Sequence, residues 1–221
     1  MLAEVGFLVA AACFGIFAYT FDIYVIRPTK IHRHDFSYAY YCLALALLTW
    51  GIAVAAGGAD VLKTAVLIGD LFIFLGTVFM LHVLSSGSKK LLWLAGAIFL
   101  LLLYIRANHY VPAPYIKNGI LVFNSQRPVT IALGLIFAFI WLPANLKVAK
   151  AVSYKLKGTN LSNLFTAIYF FSALAAIVFV ASKNTKTLAV AFTILCLCFI
   201  MLIASNVLVM SLVGGKHGSQ K

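Results

Sequence analysis

The acidic residues are few enough to be weighed one by one as candidates for proton, cation or ligand chemistry. The 221-residue chain has five of them: Glu4, Asp22, Asp35, Asp60 and Asp70. Only Asp70 falls in the middle of a long apolar run, nine residues past Val61. That separation is about 13 Å along a helix that rises 1.5 Å per residue. A carboxyl group at such a depth in a membrane is costly and marks a functional candidate.

The chemistry open to Asp70 depends on the side chains beside it. No Lys or Arg lies at the same depth in any other apolar run. We therefore expect the carboxyl to be neutral, because burial away from water disfavours its charged form. Counting depth along the predicted helices places four side chains in its layer: Thr49, Trp50, Tyr169 and Ser172. Asp70 either forms a neutral hydrogen bond between helices or binds a ligand, proton or cation.

The other reactive residue types form no catalytic or metal-binding pattern. The four cysteines lie in apolar runs without CxxC spacing, so we expect them to pack in the core: Cys13, Cys42, Cys196 and Cys198. The cluster His32–Asp35 stands beside three cations and is not predicted to hold a metal, and His82 is expected to pair with Asn206. No nucleophile–base pair or paired carboxylates occur at membrane depth. The sequence therefore predicts no enzyme, no cofactor and no metal.

The candidate residues named above lie in or beside long apolar runs, and the helices predicted from these runs must position them. The chain is 64% hydrophobic and 10% charged, whereas a soluble domain carries about 25% charged residues. A bilayer core about 30 Å thick needs about 20 apolar residues per helix, and helices satisfy their own backbone hydrogen bonds in lipid. We predict one all-α membrane domain, residues 1–221, whose seven transmembrane helices cover Leu2–Ile26, Phe36–Ala56, Val61–Leu84, Leu91–Ile105, Val129–Leu146, Leu161–Ala181 and Thr187–Val213.

Basic residues divide unevenly between the two sides of this bundle. Eleven of the 17 Lys and Arg lie on one side and six on the other. The positive-inside rule then places the N-terminus outside and the C-terminus in the cytoplasm. Basic loops beside anionic lipid headgroups account for the net charge of +12 without a nucleic-acid partner, and the loop Lys147–Asn163 contacts either lipid headgroups or a partner. We expect an integral protein of a bacterial plasma membrane with the lipid bilayer as its partner.

The outer loop Ala107–Arg127 has a β pattern of its own. Two β-prone segments, Tyr115–Lys117 and Ile120–Phe123, flank Asn118-Gly119, a pair that tolerates the positive φ of a tight turn. This pattern predicts a small extracytoplasmic β-hairpin that brings Tyr115 and Phe123 over the helices. The hairpin serves either as a lid that contacts a ligand or as a structural plug anchored at the headgroups.

Several motifs also follow one another in a recognisable order along the chain. A helix from Phe36 ends in Trp50-Gly51, the turn Gly57–Asp60 follows, the third helix holds Gly69, Asp70 and Gly76, and the hairpin Tyr115–Leu121 comes after the fourth helix. Over nearly the whole chain this resembles the seven-helix N-terminal sensor region of bacterial histidine kinases. The resemblance implies a sensory input module with an outside N-terminus. No dimerisation helix, phospho-acceptor histidine or ATP-binding domain follows, so the implied signal would pass to a separate partner.

The function predicted from these features is that of a non-enzymatic sensor or receptor-like module. It would bind a small ligand in the outer half of the bundle and signal through a cytoplasmic partner. The predicted ligand-binding residues are Asp70, Thr49, Trp50, Tyr169, Ser172, Tyr115 and Phe123. Two alternatives stay open: a small-solute or ion-coupled transporter with Asp70 as coupling carboxylate, and an accessory subunit of a larger membrane complex. The first and last three helices share one orientation, which leaves a parallel repeat open.

Overall fold

The computed structural model describes most of the chain as long apolar helices. It covers residues 2–27, 34–85, 114–117, 120–123, 127–155 and 184–217, with isolated positions between 93 and 104 and between 163 and 182. About 92% of the described residues are helical. Within the described residues, four helices are long and apolar enough to cross a membrane: Asp35–Ala56, Ala59–Ser85, Thr130–Ala151 and Thr185–Ser205. Val5–Phe21 is a shorter apolar helix. The chain is an all-α integral membrane protein.

The first three helices form the centre of the bundle. Helix α1 (Leu2–Phe21) continues into a π-helical turn, Asp22–Ile26. Helices α2 (Asp35–Ala56) and α3 (Ala59–Ser85) run antiparallel and pack along each other. The turn between them needs glycine, because Gly57 and Gly58 have φ values of 72° and 92°, which a side chain disfavours. These helices match the predicted runs to within two residues, except that the end of the first is π-helical.

The next helical segment is longer than predicted. Helix α4 (Arg127–Ile136) continues through a π turn, Phe137–Trp141, into α5 (Leu142–Lys155). The expected loop beginning at Lys147 is wrong at its start, because basic residues end the apolar run without ending the helix. Helix α6 covers Thr185–His217. The predicted runs Leu91–Ile105 and Leu161–Ala181 lie largely outside the described residues, so seven spans stay a prediction.

Aromatic side chains fill the space between α1, α2 and α6. The ring centroids of Phe14 and Phe199 are 3.6 Å apart, and Phe17 meets Tyr40 edge to face at 4.8 Å. Phe17, Phe36 and Phe199 are fully buried. Offset and edge-to-face contacts of this kind add to the stability gained by burying the rings. The contacts fix α1 and α6 on one side of α2.

A strand pair marks one end of the bundle. Strands β1 (Tyr115–Lys117) and β2 (Ile120–Val122) pair antiparallel, with Tyr115 opposite Val122 and Lys117 opposite Ile120. The intervening Asn118-Gly119 lies outside the described residues. Strand β2 contacts α1 and α6 at the end of the bundle that also holds the Gly57-Gly58 turn. We call this the strand end, and the opposite end, where Asp22, Asp35 and Lys147 lie, the charged end.

Candidate functional site

The strand end is built around Trp50. Its indole ring rests on Gly69 of α3, where any Cβ would collide with the indole nitrogen. The ring of Phe7 from α1 meets Trp50 edge to face at 5.9 Å, and the ring of Phe123, just after β2, meets it at 4.7 Å. Trp50 is only 6% exposed. Three separate segments thus converge on one tryptophan.

The indole nitrogen of Trp50 is an unusual buried donor. It is shielded from solvent and has no hydrogen-bond partner in the described part of the chain, a state shared there only by the hydroxyl of Ser37. Leaving a buried donor unsatisfied costs about 1–3 kcal/mol. Because glycine supplies no side chain at position 69, the α3 backbone forms one wall against the ring. If the Trp50 ring moved away from the α3 backbone, a bound hydrogen-bond acceptor could pair with the indole N–H. The free energy lost by leaving this donor unsatisfied would then be recovered.

Asp70 follows the glycine on which Trp50 rests. Its side chain is 6% exposed, near the middle of α3. Among the other predicted site residues, Ser172 is also buried, and Tyr169 lies outside the described residues. The structure therefore brings Trp50 and Phe123 into direct contact. Asp70 directly follows Gly69, the residue on which the Trp50 ring packs.

Two predicted site residues point elsewhere. The hydroxyl of Thr49 donates to the carbonyl of Leu45 in its own helix at 2.8 Å. Consecutive residues of a helix are separated by about 100°, so Trp50 can face α3 while Thr49 does not. Tyr115 is 44% exposed on β1, whose three residues are all exposed. Thr49 and Tyr115 therefore stay predicted site residues, whereas Trp50 and Phe123 are in contact.

A buried polar chain, missed by the sequence reasoning, joins α2, α3 and α5. The hydroxyl of Tyr40 donates to Oδ1 of Asn145 at 2.5 Å, and Nδ2 of Asn145 donates to the carbonyl of Trp141 at 2.7 Å. The indole N–H of Trp141 donates to the hydroxyl of Thr77 at 3.0 Å. All four side chains are buried. The available signal was Asn145 within an apolar run, four residues after Trp141.

Ionic contacts gather at the charged end. Asp22 accepts from Arg27 at 3.2 Å and contacts His34 at 2.5 Å, which ties the end of α1 to the start of α2. The nearest carboxylate to His82 is that of Asp35, at 3.9 Å. The expected partner of His82 was Asn206, whose side chain lies outside the described residues. Within the described ranges, no three His, Cys, Asp or Glu residues are arranged to hold a metal ion.

Lys147 has a specific structural contact at this end. Its Nζ donates to the carbonyls of Val83 and Leu84 at 2.7 and 3.1 Å. These carbonyls belong to the last turn of α3, where cations are favoured by the helix dipole and by unsatisfied acceptors. Lys147 thus caps α3, and contact of the remaining basic residues of Lys147–Asn163 with lipid headgroups or a partner stays a prediction. The four cysteines are all free.

No protein-family model matches the chain, and no curated protein or solved structure matches it either. The function proposed below is therefore inferred from the residues of the strand end and of the charged end.

Proposed function

We propose that the chain is a seven-span membrane sensor module, with the strand end outside the cell and the charged end in the cytoplasm. A small ligand binds at the strand end between Trp50 and the strand pair. The observation that carries this proposal is the buried indole N–H of Trp50, which has no hydrogen-bond partner in the described chain and belongs to a ring that Phe123 contacts. Ligand binding there satisfies the donor and moves the cover.

The surroundings of Trp50 define the ligand class. Rings of Phe7 and Phe123 offer flat apolar contacts, and the indole N–H offers one directed donor. Sites for small molecules typically combine apolar walls with a few polar groups that fix orientation. A flat aromatic compound with a carbonyl acceptor fits this combination.

The charged end supports the output side of the proposal. Eleven Lys and Arg belong to the loops and tail assigned to this side. Contacts of Asp22 with His34 and of Lys147 with the α3 carbonyls join helix ends there. A separate cytoplasmic protein receives the signal at this basic face.

Asp70 favours a second candidate, an ion-coupled transporter of small solutes. A buried carboxyl near the middle of a membrane helix is the usual carrier of a coupling proton or cation. In that case Asp70 gains and loses its charge during each transport cycle, and a solute moves with it.

A matched pair of compounds tests the proposed site. The protein, in nanodiscs of phosphatidylethanolamine and phosphatidylglycerol, is heated with menadione or with 2-methylnaphthalene, which lacks the carbonyls. We expect only menadione to raise the unfolding midpoint measured by light scattering. Trp50→Phe keeps the ring but removes the donor, and loss of a bond worth ~1.4 kcal/mol weakens binding about tenfold.

The control variant is Trp93→Phe, because Trp93 is 80% exposed. It should bind menadione as the wild-type protein does. Equal stabilisation by both compounds, or full retention of binding in Trp50→Phe, would contradict the proposal.

A further inference from the structure

A proline interrupts the long helix made by α4 and α5. Pro143 has no N–H, and its ring crowds the carbonyl four residues earlier, that of Phe139. The helix widens at this point into the π turn Phe137–Trp141, in which the N–H of Leu142 bonds to the carbonyl of Phe137, five residues back. Such turns frequently occur at functional sites within helices. The joint between α4 and α5 thus has a definite cause in the sequence.

The end of α1 has the same arrangement. The π turn Asp22–Ile26 ends two residues before Pro28, as Phe137–Trp141 ends two residues before Pro143. At the first turn, the N–H of Arg27 bonds to the carbonyl of Asp22. The second turn differs in its position, because it lies inside the candidate membrane span Thr130–Ala151. It therefore divides one span into two halves.

The half on the α5 side is held firmly. Trp141 packs on Gly76 and donates to Thr77, so the last residue of the π turn is fixed to α3. Asn145 is bonded to Tyr40 of α2, and Lys147 is bonded to the terminal carbonyls of α3. Three side chains within about two turns of helix thus bond to α2 and α3.

The half on the α4 side has fewer contacts with the described helices, although Leu133 of α4 is buried. Within the described elements, α4 packs extensively only against its own π turn, whereas the π turn and α5 both pack on α3. Ile131 and Leu135 are exposed, and Phe139 in the π turn is 71% exposed. A Cβ built at Gly134 meets nothing within 4 Å. The described chain therefore leaves space on this side of α4.

We propose that the π turn Phe137–Trp141 is a hinge about which α4 swings while α5 stays fixed on α2 and α3. Helix α4 begins four residues after Phe123, so its swing moves the ring that covers Trp50. The hinge thereby opens and closes the strand end. This regulatory role rests on the proposed function, whereas the motion itself rests on the geometry of the joint.

Spin-label distances test the hinge in the full chain in nanodiscs. One label pair spans the mobile half, at Leu135→Cys and Leu71→Cys, and a second spans the fixed half, at Lys150→Cys and Leu75→Cys. All four positions are exposed. The labels are introduced after replacement of the native cysteines by alanine: Cys13, Cys42, Cys196 and Cys198. We expect two distance populations for the first pair and one for the second.

Pro143→Ala restores the missing N–H and should abolish the second population of the first pair. Pro128→Ala is the matched control, since a proline in the first turn of α4 displaces no helical hydrogen bond. Hydrogen–deuterium exchange of the chain with its native cysteines gives a second measurement, in which Pro143→Ala slows exchange across α4 but not across α5. A single population for both pairs, or no effect of Pro143→Ala in both measurements, would overturn the hinge.

The hinge and the ligand site can fail separately. If α4 is rigid but menadione still binds in a way that depends on Trp50, the hinge is refuted and the proposed function stands. Two populations of α4 together with no binding of menadione would keep the hinge and remove the ligand site.

Discussion

Trp50 of α2 lies directly on Gly69 of α3, with its indole nitrogen against the glycine backbone. Seven residues further along α3, Trp141 lies on Gly76 in a similar manner. Residues seven apart share one helix face, so two tryptophans approach α3 at two levels. Their donors differ, because Trp141 bonds to Thr77 whereas the N–H of Trp50 has no hydrogen-bond partner in the described chain. The Trp141 donor is thus satisfied, whereas the Trp50 donor is the group to which we propose that a ligand binds.

The glycine beneath Trp50 gives the first prediction. Gly69→Ala forces a Cβ into the indole, and overpacking of this kind costs about 1–3 kcal/mol. Gly134→Ala is the matched control, since its Cβ meets nothing and alanine favours a helix by up to ~1 kcal/mol over glycine. Thermal unfolding in nanodiscs should show a lower midpoint for the first variant and an equal or higher midpoint for the second. A higher unfolding midpoint for Gly69→Ala together with a lower one for Gly134→Ala would refute the tight contact between Trp50 and Gly69.

The bond between Trp141 and Thr77 gives the second prediction. Thr77→Val leaves the buried indole N–H without its acceptor and should destabilise the protein by about 1–3 kcal/mol. Trp141→Phe and the double variant complete a mutant cycle, with an expected coupling of ~0.6 kcal/mol, the usual value for a hydrogen bond between membrane helices. Additive effects of the two changes on unfolding free energy would show that the bond is absent.

The cap of α3 gives the third prediction. Lys147→Met removes the ammonium that bonds to the carbonyls of Val83 and Leu84, and should lower stability by about 0.3–1 kcal/mol. Lys150→Met removes an equal charge from an exposed position three residues away and should change stability less. Chemical unfolding of both variants in one detergent measures the difference. Equal losses would mean that general charge, rather than the cap, is responsible.

The sequence predicted the main helices well for identifiable reasons. Asp35 and the Gly57-Gly58 turn interrupt hydrophobic runs sharply, so α2 and α3 begin and end within two residues of expectation. The β-prone segments beside Asn118-Gly119 do pair as strands. The end of α5 was missed because hydropathy marks where an apolar run stops, and a helix continues through lysines.

The site was only partly predictable because depth along a helix does not give direction around it. Thr49 and Trp50 share a layer, but consecutive residues lie about 100° apart around a helix, and it is the ring of Trp50 that packs on Gly69 of α3. Contacts such as that of Tyr40 with Asn145 join residues 105 positions apart, and no local pattern specifies such a pairing. Phe123 contacts Trp50 because the strand that precedes it lies at the end of the bundle where Trp50 lies.

Asp70 gives the fourth prediction, which separates a sensor from a transporter. In a sensor the buried carboxyl of Asp70 only has to form hydrogen bonds, which an amide of the same shape can imitate, so Asp70→Asn should change stability by less than about 1 kcal/mol. Menadione binding should also persist in this variant. Proton- or Na⁺-driven solute uptake by reconstituted wild-type vesicles, lost in folded Asp70→Asn, would instead establish the transporter.

The most direct test of ligand binding at Trp50 is the fluorine spectrum of protein labelled with 5-fluorotryptophan in nanodiscs. The chain has three tryptophans, and Trp→Phe variants assign their resonances. We predict that menadione shifts the resonance of Trp50 and leaves that of exposed Trp93 in place, while 2-methylnaphthalene shifts neither to the same extent. An unmoved Trp50 resonance at saturating menadione, or an equal shift with the hydrocarbon, would contradict a ligand site at the strand end.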